Sequence, residues 1–340
     1  MALPPHSSSA STQAPVTDEV GGPPDHDLEA SSTTAASSPL VSQSALLIGF
    51  LIALAGVGLF SAKPIVVKLM YAEEVGSEVT LALRMAMSAP LYIAIGLFGV
   101  WRSGAPGLTV NRTLAIIGVG LLGYYVASYL DLLGLEYIPA QIERMVIFTY
   151  PVFVALIGFI LFREKLSLWG WLALALAYLG IASALLGDVQ LSGSIDLRGV
   201  ALCLASAICF AGYIVLSKRL IQAVGAQLFT SIAMTAASVG ILVQILVTDH
   251  IGDLAVSETV LGLGVINAVF CTVLPSYLAS MAIGRLGGQT FSVIGSAGPV
   301  ITSVLAVGIL GEVFGWFHAL GLALVISGIV ILQRSQTKAA

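Results

Sequence analysis

An all-α integral membrane protein, with ten transmembrane helices in two inverted five-helix repeats, is the fold class that three features of this sequence predict. The 340-residue chain is 58% hydrophobic and only 9% charged, with a mean hydropathy of +1.00. Soluble domains carry about 25% charged residues, so lipid is the expected solvent for most of the chain. Apolar runs near the roughly 20 residues that a spanning helix needs recur ten times. The second half also repeats the first.

The repeat is read by sliding the sequence. At an offset of 148, Ser128-Tyr129-Leu130 falls on Ser276-Tyr277-Leu278, Gln141 on Gln289, Pro151 on Pro299, Glu164 on Glu312 and Gly180 on Gly328. Near the start the offset is 150, which places Gly49, Leu54, Ala55, Phe60 and Lys68 on Gly199, Leu204, Ala205, Phe210 and Lys218. A duplicated membrane unit is the mark of a secondary transporter with its site between the repeats.

Taken in order, residues 1–43 form a Ser-, Thr-, Ala- and Pro-rich tail without Lys or Arg, which reads as disordered. It lacks the basic region and apolar run of a signal peptide. The first repeat is expected over 44–187, with helices at 44–67, 78–100, 113–134, 140–162 and 167–187. The second is expected over 198–333, with helices at 198–217, 226–247, 259–283, 288–311 and 314–333.

Loop charges set the orientation, because Lys and Arg concentrate on the cytoplasmic side. With the N-terminus inside, cytoplasmic segments hold Arg102, Arg112, Arg163, Lys165, Lys218, Arg219, Arg285, Arg334 and Lys338, against Lys63, Lys68 and Arg198 outside. Both termini are therefore expected in the cytoplasm of a plasma-membrane protein, a bacterial inner membrane for preference. Five helices per repeat, an odd number, turn the second copy upside down.

Helix breakers come first among the functional candidates. Pro64, Pro151, Pro275 and Pro299 lie in or at the ends of spans, as does Pro90. Proline frees the carbonyl four residues earlier, and in lipid that carbonyl needs a partner from protein, water or ligand. Pro151 frees Ile147 and Pro299 frees Gly295, and these repeat mates read as gating elements or packing kinks.

Intramembrane charges are costly and each is a functional candidate. Arg84 lies about six residues, or roughly 9 Å, inside its helix at 1.5 Å per residue. Lys63, Asp131, Glu143 and Arg144 also fall in the outer third of the membrane, so five charges cluster on four consecutive helices of the first repeat. Lys63 reads equally as a snorkelling side chain, and Arg84 as the structural partner of Asp131 or Glu143. The excess of cation leaves room for a substrate carboxylate, and a carboxylate released by substrate makes the proton a candidate coupling ion. Tyr125, Tyr129, Tyr150 and Tyr277 offer apolar faces with one polar handle each. Gln141 and Gln289 complete the substrate-binding candidates, since such mixed surfaces suit small amphipathic ligands.

Glu164 and Glu312 each precede a helix and suit its N-terminal dipole. His318 reads as a packing residue. Cys203, Cys209 and Cys271 match no metal or redox spacing. No Ser-His-Asp set, metal spacing or phosphate loop occurs, so neither an enzyme nor a cofactor is expected, and no basic cluster suggests nucleic acid.

Over residues 45–334 the chain resembles the EamA-like family of the drug/metabolite transporter superfamily. The first-helix pattern ending in Lys68, Arg84, Pro151 followed by Glu164-Lys165-Leu166-Ser167, Gly180, and then Pro299, Glu312 and Gly328 carry the resemblance. It implies a cavity lined by helices one to four and six to nine, with helices five and ten peripheral. Lys63-Pro64 and the Asp131, Glu143 and Arg144 charges depart from the family's pattern. The expected activity is alternating-access transport, as an exporter, of amino-acid-like or organic-anion metabolites. The rivals are a drug or lipophilic-cation exporter on the same fold and a non-transporting membrane scaffold or sensor. The expected partners are a small-molecule substrate and the lipid bilayer, and the oligomeric state stays open.

Overall fold

A computed structural model describes residues 43–104, 107–162, 168–192, 196–248, 250–286, 291 and 294–337. The predicted tail lies outside them apart from Gln43, and so do Glu164 and Gln289. Everything described belongs to the unit Ser42–Ala340.

Among the described residues there is helix and no strand. The helices are α1 (Gln43–Ser61), α2 (Lys63–Ala72), α3 (Ser77–Ser103), α4 (Val110–Gly120), α5 (Ala127–Tyr137), α6 (Ala140–Ile147), α7 (Tyr150–Phe162), α8 (Leu168–Ser192), α9 (Leu197–Val224), α10 (Ala226–Val247), α11 (Glu258–Ala268), α12 (Leu274–Leu286), α13 (Gly298–Leu305) and α14 (Trp316–Thr337). π-helical turns join α4 to α5 at Leu121–Val126 and α11 to α12 at Val269–Val273, and a third extends α13 over Ala306–Leu310. Among the described residues, eight continuous segments are long and apolar enough to cross a membrane, from Leu47–Ala72 to Glu258–Ala279, and Gly298–Leu310 and Trp316–Ile331 are shorter apolar helices. This is a multi-pass membrane protein.

Its outside is apolar because its solvent is. Leu97, Leu246 and Val304 are among the large side chains that stand exposed. Trp101, Trp169, Trp171 and Trp316 also point outward, each in the first or last turn of its helix. Interfacial tryptophans of this kind sit at headgroup level.

The helices pair in a definite pattern. The segment α1 packs on α12, α5 on α9, α3 on α10, α6 on α13 and α8 on α14. Small residues set the closest approach, as expected where van der Waals packing drives association. At the α8–α14 crossing, a Cβ on Gly321 would lie 2.5 Å from the Gly180 carbonyl oxygen. Ser183 donates to the Phe317 carbonyl at 2.9 Å, and His318 meets Asp188 at 2.9 Å, so the same crossing is pinned by polar bonds.

Proline shapes the interior. Pro64, Pro151, Pro275 and Pro299 each occupy the second residue of a helical segment (α2, α7, α12 and α13). A proline suits the start of such a segment, where the first N–H groups have no partner within it, but the carbonyl four residues earlier is left to find another donor. The interruptions precede them, at Ala62, at Phe148-Thr149 and at Ser296-Ala297, with a π turn before Pro275. Three of these breaks meet in space. A Cβ on Gly298 would fall 2.7 Å from the Phe148 ring and 3.3 Å from Ser61 Oγ, so only glycine lets the chains close there.

The α6 N-terminus is capped from far along the chain. Glu312 Oε1 accepts from the Ala140 N–H at 2.7 Å and Oε2 from the Gln141 N–H at 3.2 Å, while Gln141 Nε2 donates to the Val313 carbonyl at 2.8 Å. The sequence pointed to the helix after Glu312; the carboxylate instead serves a helix more than 170 residues earlier. The physical reason is reach: α6 begins behind Pro139 with open N–H groups, and the α13–α14 connection passes over them. Burial pushes the Glu312 carboxyl up, against the two N–H donors that hold it down.

Two outcomes follow for stability. Gly321→Ala forces a methyl against backbone, so detergent-solubilised protein should lose about 1–3 kcal/mol, the usual cost of overpacking, in an SDS-titration unfolding curve. Glu312→Ala removes a cap and should cost about 1 kcal/mol by the same measurement, with a variant curve superimposing on wild type ruling the cap out.

Candidate functional site

The five charges singled out in the sequence are all buried, none more than 7% exposed. They come from α2 (Lys63), α3 (Arg84), α5 (Asp131) and α6 (Glu143, Arg144), and the structure brings most of them together. Lys63 Nζ lies 2.5 Å from Asp131 Oδ2. Lys63 is thus an inward ion-pair partner rather than a snorkelling side chain, because the break before Pro64 starts α2 with its first residue turned into the bundle. Arg144 Nε is 4.0 Å from Glu143 Oε2.

Arg144 has a second task. Its Nη2 donates to the Phe60 carbonyl at 3.1 Å, the carbonyl whose helical donor is missing because residue 64 is proline. The guanidinium also lies over the rings of Phe60 and Phe148, at 5.3 and 5.9 Å from their centroids. The neighbouring Ser61 carbonyl accepts from Thr302 Oγ1 at 2.8 Å. The break in the first span is therefore closed by one residue from α6 and one from α13.

Arg84 is different. It forms no hydrogen bond or ion pair among the described residues, and its Nε is a buried donor without an acceptor. The ion pair of Arg84 with Asp131 or Glu143 that the sequence allowed is not formed, since Lys63 reaches Asp131 first. On the same face of α3, Thr80 Oγ1 is buried without a partner, and on α11 Asn267 has neither amide atom bonded. Unpaired buried polar groups cost about 1–3 kcal/mol each.

The tyrosines divide. Tyr129 donates to Glu78 Oε1 at 2.9 Å, Gln244 Nε2 donates to the same oxygen at 2.6 Å, and Tyr125 donates to Gln244 Oε1. Tyr277 packs partly buried against the central apolar cluster that also carries Tyr71, Tyr124, Tyr125 and Tyr129. Tyr150 stands apart, edge-on to Phe210 with centroids 5.2 Å apart. Gln141 is engaged in the α6 cap rather than with these rings, and its Oε1 is unbonded.

Sequence reading missed Glu78, Gln244, Tyr92, Asn267 and Thr80. Tyr92 Oη lies 3.1 Å from Ser276 Oγ, a bond across 184 positions. The first-turn position of Glu78 hid it as an ordinary helix-start acid, and Gln244 had no repeat mate to draw attention. At the end of the bundle where α5 runs out, a cavity of about 640 Å³ is lined by Glu73, Glu74, Glu78, Tyr129, Glu136 and Asp253 among others. Glu136 Oε1 also accepts from the Ser77 N–H at 2.6 Å and so caps α3.

These features belong to a known class. The model of the EamA-like transporter family matches residues 47–186 and 197–334. The chain is 28% identical to the uncharacterized transporter YcbK of Bacillus subtilis, over 80% of this chain and 88% of that one. It is 30% identical to the uncharacterized transporter sll1319 of Synechocystis, over 84% and 93%. It is 29% identical to the threonine/homoserine exporter RhtA of Escherichia coli K12, over 78% and 85%. A solved crystal structure superposes with a TM-score of 0.55 at 20% identity, over 85% of this chain and 97% of that one, and so shares the fold. With both halves of the helical unit matched, the chain is a membrane transporter and belongs to the EamA-like transporter family.

Proposed function

We propose that this transporter exports small amino-acid-like or organic-anion metabolites by alternating access between two inverted five-helix repeats. Its seat is the plasma membrane, with both termini in the cytoplasm. The observation that carries the substrate class is Arg84: a buried guanidinium with no hydrogen-bond or ion-pair partner among the described residues is a standing site for a carboxylate. Asp131 is already held by Lys63, so an incoming anion does not have to displace it. Tyr71, Tyr92 and the tyrosines of the central cluster supply the apolar walls and hydroxyls that a small metabolite needs. The name of the Escherichia coli relative, a threonine/homoserine exporter, agrees with this class.

The repeat reading has its own support. The helix pairings α1–α12 and α5–α9 exchange under a 148–150 offset, and the α3–α10 and α8–α14 pairings map onto themselves. The π turns begin at 121 and 269, and the turns before Pro151 and Pro299 stand at 148–149 and 296–297, each 148 apart. A two-fold relation of this kind lets the halves exchange conformations around a central site.

A second reading draws on the cavity whose lining includes Glu73, Glu74, Glu78, Glu136 and Asp253, which favours a lipophilic cation. Flux into proteoliposomes separates the two. Radiolabelled threonine, homoserine and a simple dicarboxylate serve as one set of probes and a fluorescent organic cation as the other. Arg84→Ala should weaken carboxylate binding about 10- to 150-fold, the worth of one charge-assisted bond at about 1.5–3 kcal/mol, with Arg84→Lys in between. Cation flux that ignores Arg84, with no carboxylate flux, would hand the site to the second reading.

A further inference from the structure

We infer that Glu312, Gln141 and Val313 form a latch between the two halves of the protein. Its bonds hold the transporter closed at the end of the bundle where α5 gives way to α6, and they break each time it opens there. The inference rests on the transport reading, because only a protein with alternating access needs such a closure.

The bonds cross between the halves and gather at one point. Glu312 Oε1 accepts from the Ala140 N–H at 2.7 Å and Oε2 from the Gln141 N–H at 3.2 Å, while Gln141 Nε2 donates to the Val313 carbonyl at 2.8 Å. The two sides of the latch differ in exposure. Val313 and Phe314 stand exposed on the α13–α14 connection, whereas every residue from Ala140 to Val146 is 1% exposed or less. The cavity of about 640 Å³ lies at the same end, and Glu136 in its lining is four positions before Ala140.

The buried side of the latch is poorly satisfied. Gln141 Oε1, Glu143 Oε2 and Arg144 Nε, all on α6, are buried without a hydrogen-bond partner among the described residues. A segment that buries three such atoms is destabilised where it lies and gains hydrogen bonds to water when it is exposed. The latch bonds offset part of that cost. Closed and open arrangements of α6 are thereby brought nearer in free energy, as an alternating cycle requires.

The backbone lets α6 move as a unit. It is an eight-residue helix, set off by extended Ile138 and Pro139 at its start and by the turn at Phe148-Thr149 at its end. Hinges of this kind absorb a change of angle at a few residues. The far end of α6 is held, since Arg144 Nη2 donates to the Phe60 carbonyl at 3.1 Å and Phe148 packs against Gly298. The connection that bears Glu312 is fastened too, to α8. The Gly315 N–H donates to His318 Nδ1 at 3.1 Å, so Nε2 carries the ring hydrogen and donates it to Asp188 Oδ1 at 2.9 Å. With both flanks fixed, the start of α6 is the part that leaves when the latch breaks.

Cross-linking of the full-length protein decides between a latch and a permanent cap. Gln141→Cys and Val313→Cys are combined and joined by a short bifunctional thiol reagent that dithiothreitol reverses, with each single variant treated alike. Flux of threonine into proteoliposomes, or of the organic cation should that be the probe carried, should be lost on cross-linking and restored by dithiothreitol. Flux that persists with the cross-link formed overturns the latch. A second readout needs no substrate. In lipid nanodiscs, Ile142→Cys, at a buried position beside the latch, should react with a water-soluble maleimide about 10-fold faster once Glu312→Ala is added, the effect of losing one hydrogen bond, with labelling of the chain's own cysteines subtracted. An unchanged rate also overturns the latch. Gln141→Leu takes the place of Glu312→Ala should that variant not fold. If no probe is carried, the transport reading fails, and the Ile142→Cys rate still decides whether these bonds hold α6 closed.

Discussion

The interior of this protein is organised by one requirement: in lipid, a backbone carbonyl released by proline must find a donor inside the protein. Pro64 releases Phe60, and Arg144 answers it at 3.1 Å. The neighbouring Ser61 carbonyl is answered by Thr302 at 2.8 Å. These bonds tie α1 to α6 and α13 at the place where all three of their spans are interrupted. The aromatic rings of Phe60 and Phe148 then fill the space around the guanidinium. A cation that looks like a luxury in lipid is therefore the element that makes a broken first helix tolerable.

The consequence runs outward to the charge cluster. Because Arg144 is bound to backbone, it neutralises Glu143 only from 4.0 Å. Because Lys63 is bound to Asp131, Arg84 is left without an anion among the described residues. A buried ion pair by itself says little about stability, but on the transport reading proposed above the Arg84 cation is a buried cost that a bound anion would remove. The structural bonds thus create the vacancy that the proposed chemistry uses.

Much of this was legible in the sequence, and for physical reasons. Spans follow from hydropathy, and the breaks follow from proline, which acts locally whatever surrounds it. The five charges stood out because charge in a lipid-facing run is rare. What stayed hidden depended on contacts between distant segments. Glu312 reads as a cap on the helix that follows it, yet it caps α6. Glu78 and Gln244 read as unremarkable until α3 and α10 bring them to 2.6 Å. The π turns have no residue signature of their own, since they consist of one extra residue absorbed into a regular ladder. The offset of 148 relates two of them, but only once their positions are known.

That offset also separates two kinds of residue. Positions that agree between the halves, such as Pro151 with Pro299 and Gly180 with Gly328, sit at breaks and helix crossings, where backbone geometry must be the same in both halves. The charges do not agree: positions 232, 279 and 291, the counterparts of Arg84, Asp131 and Glu143, hold Ile, Ala and Phe. A scaffold that must move symmetrically constrains both halves alike, whereas a ligand with one charged end needs only one set of counter-charges. Symmetric breaks with one-sided charge fit the transport proposed above, in which the two halves move alike around a ligand with one charged end.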